Sequence, residues 1–302
     1  MFAGTGGARL DIMDLHDWPG HGLTDAELDV AYNVRGKAGE ELFGHHMRRY
    51  RALSDEAVDG LPGHRGVVYD EASGEALDVW GVEAGRLRPV FVFVHGGYWR
   101  ALSRADSAFM ARMLHGHGVA TVVPDYTLAP AATLEEIVRQ VRASVAWVHR
   151  HGPGHGLDPG RIVVGGSSAG GHLTGMTMVG GWQEALGLPA DVVKAAMPFS
   201  GLFDIRPLVR VYVNEWLGLD GARAARLSPE LLPAPRRCPA VVAVAADDGD
   251  GFLEQSRRFQ RHWGPAAELM VVPDRDHFDV VLDLADETSA VSRALLGLIR
   301  AL

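Results

Sequence analysis

One cysteine, Cys238, serves a chain of 302 residues. That excludes an internal disulfide and any cysteine-built zinc site. Positive charge is also short: 29 Lys and Arg against 38 Asp and Glu leave a formal net charge of −9. The arginine pairs Arg48–Arg49, Arg236–Arg237 and Arg257–Arg258 are too scattered to form a basic stripe, so no nucleic-acid partner is expected. No apolar run approaches the ~20 residues of a membrane helix. The opening MFAGTGGARLDIMDLH has no basic stretch followed by an apolar one, so no signal peptide is read and a cytoplasmic location is expected. The 14 histidines include His45–His46, His115 with His117, and His149, His151 and His155. None has the H-E-x-x-H pattern, so surface histidines are expected, with no metal and no cofactor. The expected partner is a small-molecule substrate, with no membrane; a homodimer is allowed.

The material present is that of a globular domain, 47% hydrophobic and 22% charged. Residues 1–22 read as an extended arm. Thr24 and Glu27 form a capping box that opens a helix with Leu28, Ala31 and Tyr32 on one face, and a second helix follows over 39–53. From Arg65 the period changes to two, and GVVYD with ALDVWGV reads as an antiparallel pair turning at Ser73–Gly74. PVFVFVH, from Pro89, is an all-apolar run of the kind buried on both faces of a parallel sheet. Helices are then expected over 104–115, 134–150, 252–263 and 283–302. Strands are expected at ATVVPDY, at Arg161 to Val164, and over 195–199, 240–245 and 268–272. This alternation predicts an α/β fold: a mostly parallel central sheet with helices on both faces, as one domain over 1–302. Only 202–237 interrupts it, a Pro-rich stretch with Tyr212 and Trp216 that reads as a lid-like insertion.

The strand-turn-helix RIVVGGSSAGGHL holds Gly166, Ser168 and Gly170 in the frame G-x-S-x-G. A serine on so sharp a turn has strained backbone angles and needs neighbours without side chains, and its Oγ then stands above the sheet near a helix N-terminus. Ser167 would put Ala169 where the second glycine belongs, so Ser168 is the expected nucleophile. Upstream, PVFVFV runs into His95-Gly96-Gly97-Tyr98-Trp99. Gly96 and Gly97, with the amide of Ala169, are the expected oxyanion donors, and His95 shapes the loop. Downstream, VVAVAADDGDGF offers Asp247, Asp248 and Asp250 after a strand. Asp248 is favoured because the strand is read to end at Ala245, with Asp247 its rival and Asp250 third. After the last strand His277 lies in a loop, where it would serve as general base. Tyr98 and Trp99, with Trp216, are the expected aromatic lining of a substrate pocket.

With these residues in view, the chain from about Arg65 onward resembles the α/β-hydrolase superfamily. More closely it resembles the arylformamidases, or kynurenine formamidases, through HGGYW at 95–99, FLEQSRRF at 252–259, HFDVV at 277–281 and the early LDVAYNVR. The resemblance implies hydrolysis of N-formyl-kynurenine to kynurenine and formate without a cofactor. It places the nucleophile on Ser168, the base on His277, the acid on Asp248, and the oxyanion hole on Gly96, Gly97 and Ala169. A carboxylesterase of the same fold is the alternative.

Overall fold

The computed structural model describes residues 17–234 and 238–302; most of the N-terminal arm and the Arg236–Arg237 pair lie outside them. Eight strands form one sheet: β1 (Gly63–Asp70), β2 (Glu75–Trp80), β3 (Arg88–Val94), β4 (Ala120–Pro124), β5 (Leu157–Ser167), β6 (Ala195–Phe199), β7 (Ala240–Asp247) and β8 (Ala267–Asp276). Their order is β1-β2-β4-β3-β5-β6-β7-β8. β2 is antiparallel to both β1 and β4, and every other pairing is parallel. The helices are α1 (Asp25–Tyr32), α2 (Val34–Ala38), α3 (Glu40–Val58), α4 (Ala111–Gly116), α5 (Leu134–His151), α6 (Ala169–Met178), α7 (Trp182–Ala185), α8 (Asn214–Leu217), α9 (Gly221–Arg226), α10 (Asp250–Trp263) and α11 (Ala290–Arg300).

The unbroken apolar run of β3 divides by parity. Val90, Val92 and Val94 enter one core with Ile137 and Val141 of α5 and Leu173 of α6. Phe91 and Phe93 enter the other with Leu114 of α4 and Leu295 of α11. Successive strand residues point to opposite faces, so a strand covered on both sides must be apolar throughout. The parallel register sets Val94 opposite Gly166 and Ser167 opposite Phe199, so the ends of β3, β5 and β6 come level beneath the site.

Two expected helices are broken. Over 104–115 only a 3-10 turn, Arg104–Asp106, precedes α4. The amide of Arg104 donates to Asp125 Oδ1 at 2.6 Å and that of Ala108 to Ser54 Oγ at 3.1 Å, partners far along the chain that displace a helical ladder. Over 283–302 a 3-10 turn, Val280–Ala285, ends before α11, which Ser289 caps by accepting from the Ser292 amide at 2.9 Å. The interrupting stretch from Leu202 forms α8, α9 and two 3-10 turns, and it buries Phe203, Ile205, Leu208 and Val213 completely in the same core as the sheet. Among the described residues no helix is long and apolar enough to cross a membrane.

Candidate active site

Ser168 sits between β5 and α6 with φ 57° and ψ −116°, a conformation that costs a non-glycine residue about 1–3 kcal/mol. Its neighbours show why the turn needs glycine. A Cβ on Gly170 would lie 2.0 Å from Val94 O, and one on Gly166 2.5 Å from Gly170 O. The Ser168 amide donates to Phe199 O at 2.8 Å, pinning the turn to the end of β6. Ser168 and Ser167 both reach the wall of a cavity of about 570 Å³, along with Gly96, Gly97, Tyr98 and His277.

The loop after β3 is built for close approach. A Cβ on Gly96 would stand 2.7 Å from Ser167 O, and Gly97, at φ 89°, accepts from the amides of Arg100 and Ala101 at 3.0 and 3.1 Å. His95 is buried, stacked on Tyr126 with ring centres 4.1 Å apart, and its Nδ1–H donates to Gly96 O at 3.1 Å. Burial lowers the His95 pKa and keeps the ring neutral, against smaller opposing contributions from the Gly96 carbonyl and nearby aspartates. The Tyr126 hydroxyl reaches both His95 O and Gly96 O, at 3.1 and 3.2 Å. No motif announces Tyr126; only the adjacency of β3 and β4 brings it here.

Tyr98 and Trp99 part company. Tyr98 lines the cavity and donates its hydroxyl to Tyr32 O at 2.6 Å. Trp99 is 0% exposed, packed edge-on against His172 at 5.0 Å, and does not line the cavity. The expectation that Trp99 contacts substrate is therefore corrected: the indole is buried in the core with Val94, Tyr126 and Leu173, while its neighbour Tyr98 faces the cavity. Tyr212 and Trp216, from the stretch after Leu202, supply the aromatic wall in its place.

Of the three aspartates, only Asp248 meets His277. Its Oδ1 accepts from His277 Nδ1 and from the Gly249 amide, both at 2.9 Å, in a site where Asp248 is 3% and His277 5% exposed. Asp250 opens α10 on the surface. Asp247 is exposed and ion-paired with Lys37 at 2.8 Å. β7 runs to Asp247, two residues past the expected end, with a register shift between Ala245 and Asp247. That irregularity turns Asp247 outward and leaves Asp248 as the first residue of the turn beneath the histidine. With Nδ1–H committed to Asp248, the ring's Nε2 is left without a hydrogen-bond partner among the described residues. Ser168 Oγ forms no hydrogen bond with it; such contacts commonly close only when substrate is bound.

Three groups from the N-terminal helices hold these two loops, and the sequence patterns did not reveal them. Lys37 Nζ donates to Asp247 O and Asp248 O at 3.0 and 2.9 Å. His46 Nε2 meets Asp276 Oδ2 at 3.0 Å, and the Tyr50 hydroxyl donates to Phe278 O at 2.6 Å. Asp276 also accepts from the amides of Phe278 and Asp279. Burial raises the Asp276 pKa, but these amides and His46 outweigh it and leave the pKa below its ordinary value.

The comparisons agree with this architecture. The BD-FAE family model matches residues 77–205. A kynurenine formamidase of Salmo salar is 35% identical over 243 residues, covering 76% of this chain and 80% of that one. One of Danio rerio is 29% identical over 301 residues, covering 94% and 99%. Among solved structures, a putative thioesterase from Silicibacter sp. TM1040 superposes with a TM-score of 0.76 at 29% identity, covering 91% of this chain and 99% of that one. A serine elbow at the end of β5, a glycine loop after β3 and this degree of likeness make the chain a hydrolase that belongs to the kynurenine formamidase family of the α/β-hydrolase superfamily.

Proposed function

We propose that the chain hydrolyses an aryl formamide, N-formyl-kynurenine, to kynurenine and formate through a Ser168–His277–Asp248 triad. The observation that carries the reading is the buried His277–Asp248 pair, 2.9 Å apart, whose histidine lines the cavity that also receives the strained Ser168. Ser168 Oγ attacks the formyl carbon while His277 Nε2 takes its proton, and Asp248 stabilises the imidazolium. The amides of Gly96, Gly97 and Ala169 receive the oxyanion, each worth roughly a hundred- to thousandfold in rate. His277 returns the proton to the arylamine nitrogen as the C–N bond breaks. Water, deprotonated by His277, then attacks the formyl-enzyme; formate leaves and Ser168 is reprotonated.

A formyl group needs almost no acyl pocket, so the space beside Ser168 is available to the leaving group. Tyr98, Tyr212, Trp216, Phe43 and Phe278 give that space walls suited to an aromatic ring. The names borne by the Salmo salar and Danio rerio relatives support the same substrate. The test is kcat/KM on N-formyl-kynurenine, with formate measured directly, beside kcat/KM on short p-nitrophenyl esters. Stoichiometric formate and a clear preference for the formamide are expected. Ester turnover without formate release would make the chain a carboxylesterase.

A further inference from the structure

The chain as a whole is acidic, with a formal net charge of −9, yet among the described residues the formally charged side chains lining the cavity beside Ser168 are both arginines. Arg35 and Arg100 line it, and among the described residues no Asp or Glu does. The two guanidinium groups are not equivalent. Arg35 is satisfied within the protein: its Nε and Nη2 donate to the two Glu40 carboxylate oxygens at 2.8 and 2.7 Å, and it lies over Phe43 at 4.6 Å. Arg100 lies over the Trp216 ring, also at 4.6 Å, and among the described residues its side chain has no carboxylate or carbonyl partner.

Stacking orients a guanidinium without using its N–H donors, which lie in the plane of the group and stay available to an incoming anion. The platform itself is fixed: Trp216 Nε1 donates to Tyr98 O at 3.2 Å. The Arg100 amide closes a turn onto Gly97 O at 3.0 Å. The loop that carries the oxyanion glycines thus also carries Arg100, so the cation stands at a set reach from the scissile bond.

We propose that Arg100 is the carboxylate-recognition residue of this site, and that the substrate class is one whose leaving group is an arylamine or phenol bearing a carboxylate side chain. The proposal rests on the hydrolase reading of this cavity and not on formyl as the acyl group. A planar, bidentate donor matches a carboxylate; the free Arg100 side chain is exposed, so only the part of the pair that the bound substrate covers escapes solvent screening. The contact is remote from the reacting atoms and present before and during reaction, so its effect falls on KM more than on kcat.

The test compares kcat/KM for an aryl acetate carrying a propionate chain on the ring with that for the same ester capped as the amide, and sets N-formyl-kynurenine beside formanilide. In the unmodified chain the charged member of each pair is expected to be preferred, by a ratio that falls as NaCl rises from low to high concentration. Arg100→Gln should lower that ratio about tenfold, chiefly through KM; Arg100→Lys should keep part of it, and Arg100→Glu should take it below that of Arg100→Gln. An unmodified enzyme without the preference, or an Arg100→Gln ratio equal to the unmodified one, overturns the assignment. Because the readout is a ratio, a variant that folds poorly lowers both members alike; if Arg100→Gln yields no active protein, the Arg100→Lys ratio and the salt series decide. A preference within the ester pair without formamide turnover would remove the formamide reading and keep Arg100. Formamide turnover with no preference in either pair would do the reverse.

Discussion

The N-terminal helices and the stretch from Leu202 to Leu231 both press on the same site, but by different physics. α2 and α3 reach it through directed polar contacts: Lys37 on the carbonyls of the acid turn, His46 on Asp276, Tyr50 on the carbonyl of Phe278. Each is specific in direction and ends on the backbone or carboxylate of a loop that carries Asp248 or His277. The later stretch buries Phe203, Ile205, Leu208 and Val213 and is pinned by Gln255 at the Phe203 and Asp204 backbone, outside the two loops, and it offers the cavity two half-buried rings, Tyr212 and Trp216. Among the described residues one polar bolt joins it to α6, where His172 Nε2–H donates to Leu227 O at 2.7 Å. The first region therefore sets the orientation of Asp248 and His277, and the second sets the shape of the space. Loss of the first should appear in kcat and loss of the second in KM.

The largest expected effect lies at the centre that both regions serve. Asp248→Asn keeps the size of the acid but favours the wrong histidine tautomer, and should lower kcat by up to about ten-thousandfold. Asp247→Asn and Asp250→Asn should lose less than about tenfold, because neither carboxylate touches His277. A dead Asp247 variant beside an active Asp248 variant would reverse the assignment.

Next comes the polar bolt. Burial holds the His172 pKa down to about 4, with the Leu227 contact opposing it and the Arg142 charge adding to it. A histidine neutral in the folded state and free to protonate when unfolded contributes stability that is present above the unfolded pKa of about 6.5 and lost as pH falls toward 4. The full loss is on the order of 3 kcal/mol. Urea titrations between pH 7 and pH 4.5 should show this decline, and His172→Gln should flatten it; parallel pH slopes in the two proteins would refute the contribution.

The clamp on the acid turn follows. Lys37→Met removes the contacts to Asp247 and Asp248 and should lower kcat about tenfold with little change in KM, while Lys37→Arg restores part of it. An effect confined to KM would erase the distinction between the two regions. The smallest expected effect is that of Trp216→Ala, which opens the aromatic wall and should raise KM roughly three- to tenfold with kcat nearly held, as lost uniform binding does.

What the sequence disclosed, and what it hid, follows the same division. The elbow was readable because Gly166 and Gly170 sit where any Cβ would strike backbone carbonyls, a local constraint that leaves a local signature. The Val90–Val94 run of β3 was readable because both faces of that stretch are packed against apolar helices. The length of β7 was not, because its last residues are set by a register shift against β8. Trp99 was hidden for a related reason: Tyr98 and Trp99 are adjacent aromatics of one loop, and which of the two is buried depends on packing against His172, a residue 73 positions away. His46, Tyr50 and Tyr126 reach loops 30 to 230 residues away in sequence, and such pairs leave no pattern in the residues around them.

Covalent labelling with a fluorophosphonate, followed by mapping of the modified peptide, tests the central claim most directly. The label should fall on Ser168, vanish in Ser168→Ala together with N-formyl-kynurenine turnover, and persist in Ser167→Ala, whose serine shares the cavity wall but not the strained turn. A label on Ser167, or full formamide turnover by Ser168→Ala, would contradict the account.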